Sequence, residues 1–159
     1  MLFEENYTVF SDHLSLGIPI IDDQHTNLVR MTNNLQYACL KGQETASHRF
    51  LRSVEEIINF SHLHFQTEEK LMSLFGFNGL RDHKKEHEEF LWNMLEYVKM
   101  FQEGQSSVPD RFVCLLADWI QSHISVSDKL FADYFLSMES HSKMRLTLTM
   151  APEWQSLSA

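Results

Sequence analysis

The chain is poor in the residues that interrupt helices. Glycine occurs five times and proline three times in 159 residues, and they fall between long periodic segments. That pattern favours an all-α chain with few breaks. Cysteine is scarcer still: Cys39 and Cys114 share no motif spacing. Two reduced, mostly buried thiols in a cytoplasmic protein are the expectation. No apolar run approaches the ~18 residues of a membrane span, so membrane insertion is not expected. The opening stretch MLFEENYTVF is acidic and lacks the basic n-region of a secretory signal. Positive charge is also short, with 13 Lys and Arg against 22 Asp and Glu and a net charge of −9. A nucleic-acid partner would need a basic face, so none is expected.

What the chain does have is a core and an excess of histidine. Apolar residues make up 43% and aromatics 12%, enough to bury one domain and too much for disorder. Nine histidines are the one compositional oddity, and they direct attention to metal. The punctuation places an arm at 1–21, where Pro19 blocks helix and Asp22 is a plausible N-cap. Helices are expected at about 23–41, 45–75, 80–103 and 109–138, with Gly42, Gly76 and Gly104 as stops and Pro109 in a first turn. Short connections make successive helices antiparallel neighbours. The expected fold is an up-down-up-down four-helix bundle over residues 1–138, followed by a tail at 139–159. In that tail RLTLTM alternates like a strand but has no partner, so a frayed or surface-docked segment is expected, and it is a candidate protein contact.

Potential ligands sit on every helix. HFQTE supplies His64 and Glu68, and HKKEH supplies His83 and His87, each pair four apart and so on one helix face. His25 lies in the first turn of the first helix, and His123 and Asp128 lie on the last. Counting up from the loops that join the first two and the last two helices, all seven fall in a slab roughly 13 Å thick. Four helices delivering ligands to one level is what a metal site inside a bundle requires. His62 should face outward. His13, His48 and His141 have no partner at ligand spacing. Met31, Met72 and Met94 read as core, as does Trp119.

The donor set has its own chemistry. Five imidazoles and two carboxylates suit a borderline first-row metal, iron above all, and exceed what one tetrahedral zinc can use. With two six-coordinate irons, two bridging carboxylates, five imidazoles and one oxo or hydroxo bridge fill all positions but one. Few anionic donors favour ferrous iron over the high-valent states of oxygenases, which points to reversible binding of a small ligand rather than catalysis.

The stretches GIPIIDDQH (17–25), HFQTEEKLM (64–72), HKKEH (83–87) and WIQSHISVSD (119–128) resemble the hemerythrins of the bacterial single-domain type. The resemblance covers roughly residues 10–136, with Phe10 where a tryptophan is usual and with a longer tail. It implies an oxygen-binding di-iron site. By motif, His83, His87 and His123 would hold one iron, His25 and His64 the other, and Glu68 and Asp128 would bridge them. The open position would lie on the iron of His25 and His64, in an apolar pocket for which Ile120, Phe65 and Trp119 are candidates.

Three other readings compete. The same site could bind nitric oxide, remove peroxide or sense iron or redox state. HKKEH also fits the inverted zinc-peptidase motif H-x-x-E-H, with Glu86 activating water, but that strands the other ligands. A metal-free bundle leaves the aligned ligands unexplained. One local conflict remains. His123 and Asp128 are five apart, which leaves them about 140° apart on an α-helix. A π-type turn between them would reduce that to about 50°, so one is expected there.

Overall fold

A computed structural model describes residues 14–142, with the side chains of 139–142 excluded. Helix α1 spans Pro19–Leu40, α2 Gln43–Leu74, α3 Leu80–Gln102 and α4 Val108–Ser122. A π-helical segment, His123–Asp128, joins α4 to α5, Lys129–Ser142. Its flanking residues keep right-handed helical dihedrals, so α4, the π segment and α5 form one continuous rod. Four antiparallel rods result, with no strand among the described residues. The rod of α4 and α2 both flank α1, and both also flank α3, closing a square. The region of RLTLTM, Phe10, His13 and the side chain of His141 lie outside the described residues.

The first helix begins earlier than Pro19 and Asp22 suggest. Pro19 occupies its first turn, where a missing N–H costs nothing, instead of blocking it. Asp22 is not the N-cap. Its carboxylate accepts from the backbone N–H of Leu16 at 2.7 Å and of Gly17 at 3.0 Å, and from the Ser15 hydroxyl at 2.9 Å. Gly17 makes that turn possible, because its φ of +78° is costly for any residue with a Cβ. The arm is thereby tied down, and Leu14, Leu16 and Ile18 are buried.

Two apolar layers enclose the polar middle of the bundle. Near the α1–α2 and α3–α4 connections, Phe50 meets Phe101 at 4.6 Å and Phe112 edge-on at 5.4 Å between ring centroids. At the opposite end Phe75 meets Phe135 edge-on at 4.8 Å, and Phe77 meets Phe131 at 5.4 Å. Tyr134 closes that end by donating its hydroxyl to the Phe75 carbonyl at 2.8 Å. Met72 and Met94 are fully buried and Met31 half-buried, as core residues. Cys39 is half-buried and Cys114 exposed, so the expectation of two mostly buried thiols holds for neither fully. Cys114 lies on a solvent face of α4 that helical periodicity alone did not separate from the core face. No helix of the described residues is long and apolar enough to cross a membrane.

Candidate metal centre

Between the apolar layers lie seven side chains, His25, His64, Glu68, His83, His87, His123 and Asp128, each at most 4% exposed. Every rod contributes, and the ring nitrogens and carboxylate oxygens converge. Glu68 divides its oxygens: Oε1 lies 3.5 Å from His25 Nε2 and 3.3 Å from His64 Nε2. Its Oε2 lies 3.3 Å from His83 Nε2 and 3.1 Å from His87 Nε2. Asp128 does the same, with Oδ2 3.1 Å from His25 Nε2 and Oδ1 3.3 Å and 3.1 Å from the Nε2 atoms of His83 and His123. The carboxylates thus sort the histidines into a pair, His25 and His64, and a trio, His83, His87 and His123. Within each half, both carboxylates included, the potential ligand atoms all lie within 4.8 Å of one another.

Hydrogen bonding shows which atoms of this cluster stand without a partner. The Gln24 amide donates to Thr67 Oγ1 at 3.2 Å, and Thr67 in turn donates to the Leu63 carbonyl at 3.0 Å. The Gln24 carbonyl oxygen therefore faces His64 and accepts its Nδ1–H at 2.9 Å. That leaves the Nε2 lone pair of His64 pointing inward. His87 donates Nδ1–H to Glu69 at 3.1 Å, and His123 donates Nδ1–H to Glu86 at 3.0 Å. Their Nε2 atoms then stand 3.1 Å apart, lone pair against lone pair. Neither ring nitrogen of His25, nor Oε1 of Glu68, nor either oxygen of Asp128 has a hydrogen-bond partner. Buried acceptors without donors are costly, and a cation between them removes the cost. The residues present therefore fit bound metal.

Without metal, protons do part of that work. Burial works against charging His25, but the carboxylates of Asp128 and Glu68 prevail and carry its pKa up to about 9. The same balance carries His83 up to about 10. Burial pushes His64 down to about 4 against the pull of Glu68, so it stays neutral. Burial would raise both carboxylates. The surrounding histidines, His64 foremost for Glu68 and His123 for Asp128, hold them well below their usual range.

The aromatic neighbours sit mostly on the trio. Phe65 stacks on His87 at 3.8 Å and also lies 5.6 Å from His64. Trp119 stacks on His123 at 4.1 Å and on Phe90 at 3.9 Å. Trp119 thus packs beside the three-histidine half. Ile120 is buried. His62 and His48 are exposed, away from the cluster.

Gln24, Thr67, Glu69 and Ser127 were not singled out from the sequence, and Glu86 only as the base of the zinc-peptidase reading. A signal was there: Gln24 precedes His25, Glu69 follows Glu68 and Glu86 precedes His87. Each reaches the ligand of the next rod, which sequence alone could not reveal. Glu86 also answers the zinc-peptidase reading. Its carboxylate holds the outer nitrogen of His123, on the side away from the inward Nε2 atoms, where it cannot activate a water on metal held by His83 and His87.

Residues 16–135 match the family described as the Hemerythrin HHE cation binding domain. Bacteriohemerythrin of Pseudomonas aeruginosa strain PAO1 is 37% identical over 127 residues, 80% of each chain. That of Stenotrophomonas maltophilia is 33% identical over 125 residues, 79% of each. That of Methylococcus capsulatus is 27% identical over 115 residues, covering 72% of this chain and 86% of the relative. The bundle, its buried histidine–carboxylate cluster and these similarities agree, and the chain belongs to the hemerythrin family.

Proposed function

We propose that this protein binds dioxygen reversibly at two non-heme irons, and does not catalyse oxidation. His83, His87 and His123 would hold one iron and His25 and His64 the other, with Glu68 and Asp128 shared and an oxo or hydroxo bridge between the ions. The observation that carries the reading is the unequal division made by the two carboxylates: three imidazoles on one side, two on the other. The half with two has one protein ligand fewer, which leaves it room for a small molecule. Two irons, when bound, would supply the two electrons that reversible capture of dioxygen requires. The family assignment supports the same conclusion.

The protein's own contribution is neutrality, order and dryness. Gln24 holds His64 in the tautomer that turns a lone pair inward. Ile120 and Phe65 would keep the open position apolar, so that water does not assist loss of the bound ligand. Five neutral donors against two anionic ones disfavour the high-valent iron that substrate oxidation needs.

The test is to purify the protein, count iron per chain and compare anaerobic with air-exposed optical spectra. Two irons and a charge-transfer spectrum that appears in air and disappears on degassing are expected. A colourless protein with one zinc would overturn the reading, and rapid catalytic turnover of peroxide would replace it with an enzymatic one.

A further inference from the structure

The outer nitrogens divide the cluster a second time, by charge. His64 gives its Nδ1–H to Gln24, a neutral amide. His87 and His123 give theirs to carboxylates, Glu69 and Glu86. Lys84 lies 3.5 Å from Glu69 and offsets part of its charge. Among the described residues no Lys or Arg is paired with Glu86. It is 46% exposed, at the rim of a surface cleft of about 370 Å³ that also includes Trp119 and His123. Such a carboxylate would normally swing freely, yet Ser127 donates to its Oε2 at 2.6 Å, the atom that faces His123. Ser127 itself lies within the π segment, one residue before Asp128. The widened turn that brings Asp128 inward thus also carries the hydroxyl that seats Glu86.

An anion on the outer N–H of an imidazole fixes the ring and strengthens donation from its other nitrogen. We infer that Glu86, seated by Ser127, is a positioning residue that makes the His83, His87 and His123 half the tighter of the two metal sites. This rests on the seven-ligand, two-metal reading above. The geometry gives the trio two anionic outer partners and the pair none among the described residues, because neither nitrogen of His25 is hydrogen-bonded and His64 meets an amide.

Cobalt(II) is the probe, titrated into the metal-free full chain and followed by its visible absorption. The native protein should take up two equivalents in two resolved steps. Glu86→Ala should weaken the tighter step by about 10–100-fold. Glu86→Gln should recover part of that loss, since the amide oxygen still accepts but carries no charge. Ser127→Ala should weaken the same step by a smaller factor, and Gln24→Ala should weaken only the looser one. Circular dichroism of each variant establishes that the bundle is folded, and should Glu86→Ala fail there, Glu86→Gln and Ser127→Ala decide. A tighter step unchanged within about threefold, or equal weakening of both steps, would overturn the assignment. Native protein that binds fewer than two cobalt ions would instead defeat the two-metal reading, so the two failures are distinguishable.

Discussion

His123 Nε2 lies 3.1 Å from Asp128 Oδ1, although they are five positions apart on one continuous helical rod. The π segment makes this contact possible, as the spacing required. Asp128 is the group this arrangement delivers, and it faces both halves of the cluster. Asp128→Asn replaces one of these carboxylate oxygens with an amide nitrogen that cannot bind metal. Iron should fall from two per chain to one or fewer, with helical content retained. Two tightly held irons in that variant would show that Asp128 is not shared.

The apolar character of the open position is tested by Ile120→Glu. Iron loading should persist, because Ile120 is not among the seven. Autoxidation should change by at least about tenfold, which corresponds to about 1.4 kcal/mol in the barrier. An unchanged rate would remove Ile120 from the pocket.

The metal-free protein should have a pH optimum of stability that metal abolishes on the alkaline side. His25 and His83 have folded pKa values of about 9 and 10, above the ordinary 6.5. Their contribution is complete below about pH 6.5 and is lost as pH rises through 9 to 10. Glu68 and Asp128 are depressed, so theirs is complete above the ordinary carboxylate range and is lost as pH falls below it. His64, held near 4, adds to the loss on the acid side. Bound metal must displace the protons on His25 and His83, so it binds more tightly as pH rises. Thermal melts with and without metal should therefore diverge steadily from about pH 6 to 9. Parallel curves would contradict this account.

The end layers should govern stability without governing the site. Phe50 is fully buried, packed on Phe101 and Phe112 well away from the ligands. Phe50→Ala should cost about 3–5 kcal/mol in chemical denaturation. Iron stoichiometry at low temperature should stay at the native value. Loss of iron from a still-folded variant would show that the site depends on that layer directly.

Much of this protein is local, and local features are legible. Helical periodicity, the glycine stops and the spacings of His64 with Glu68 and His83 with His87 depend only on the pitch of one helix. The five-residue gap to Asp128 was equally informative, because an α-helix cannot satisfy it. The start of α1 was misjudged for a physical reason: Pro19 is compatible both with ending an extended arm and with opening a helix. The choice fell to Asp22, whose carboxylate is satisfied by backbone groups of the arm and not by the helix it was expected to cap.

The amino-acid sequence by itself determined the helices, the histidines and carboxylates that cluster, their common level in the bundle and the need for a π turn. All of these follow from composition and from the rise and twist of a single helix. Only the tertiary structure decided which ligand each neighbour would support. Gln24 serves His64, Glu69 serves His87 and Glu86 serves His123, and each of these bonds crosses from one rod to the next. Their geometry depends on how far each rod is rotated about its own axis. That rotation is set by the packing of whole apolar faces, a property no short stretch of sequence carries.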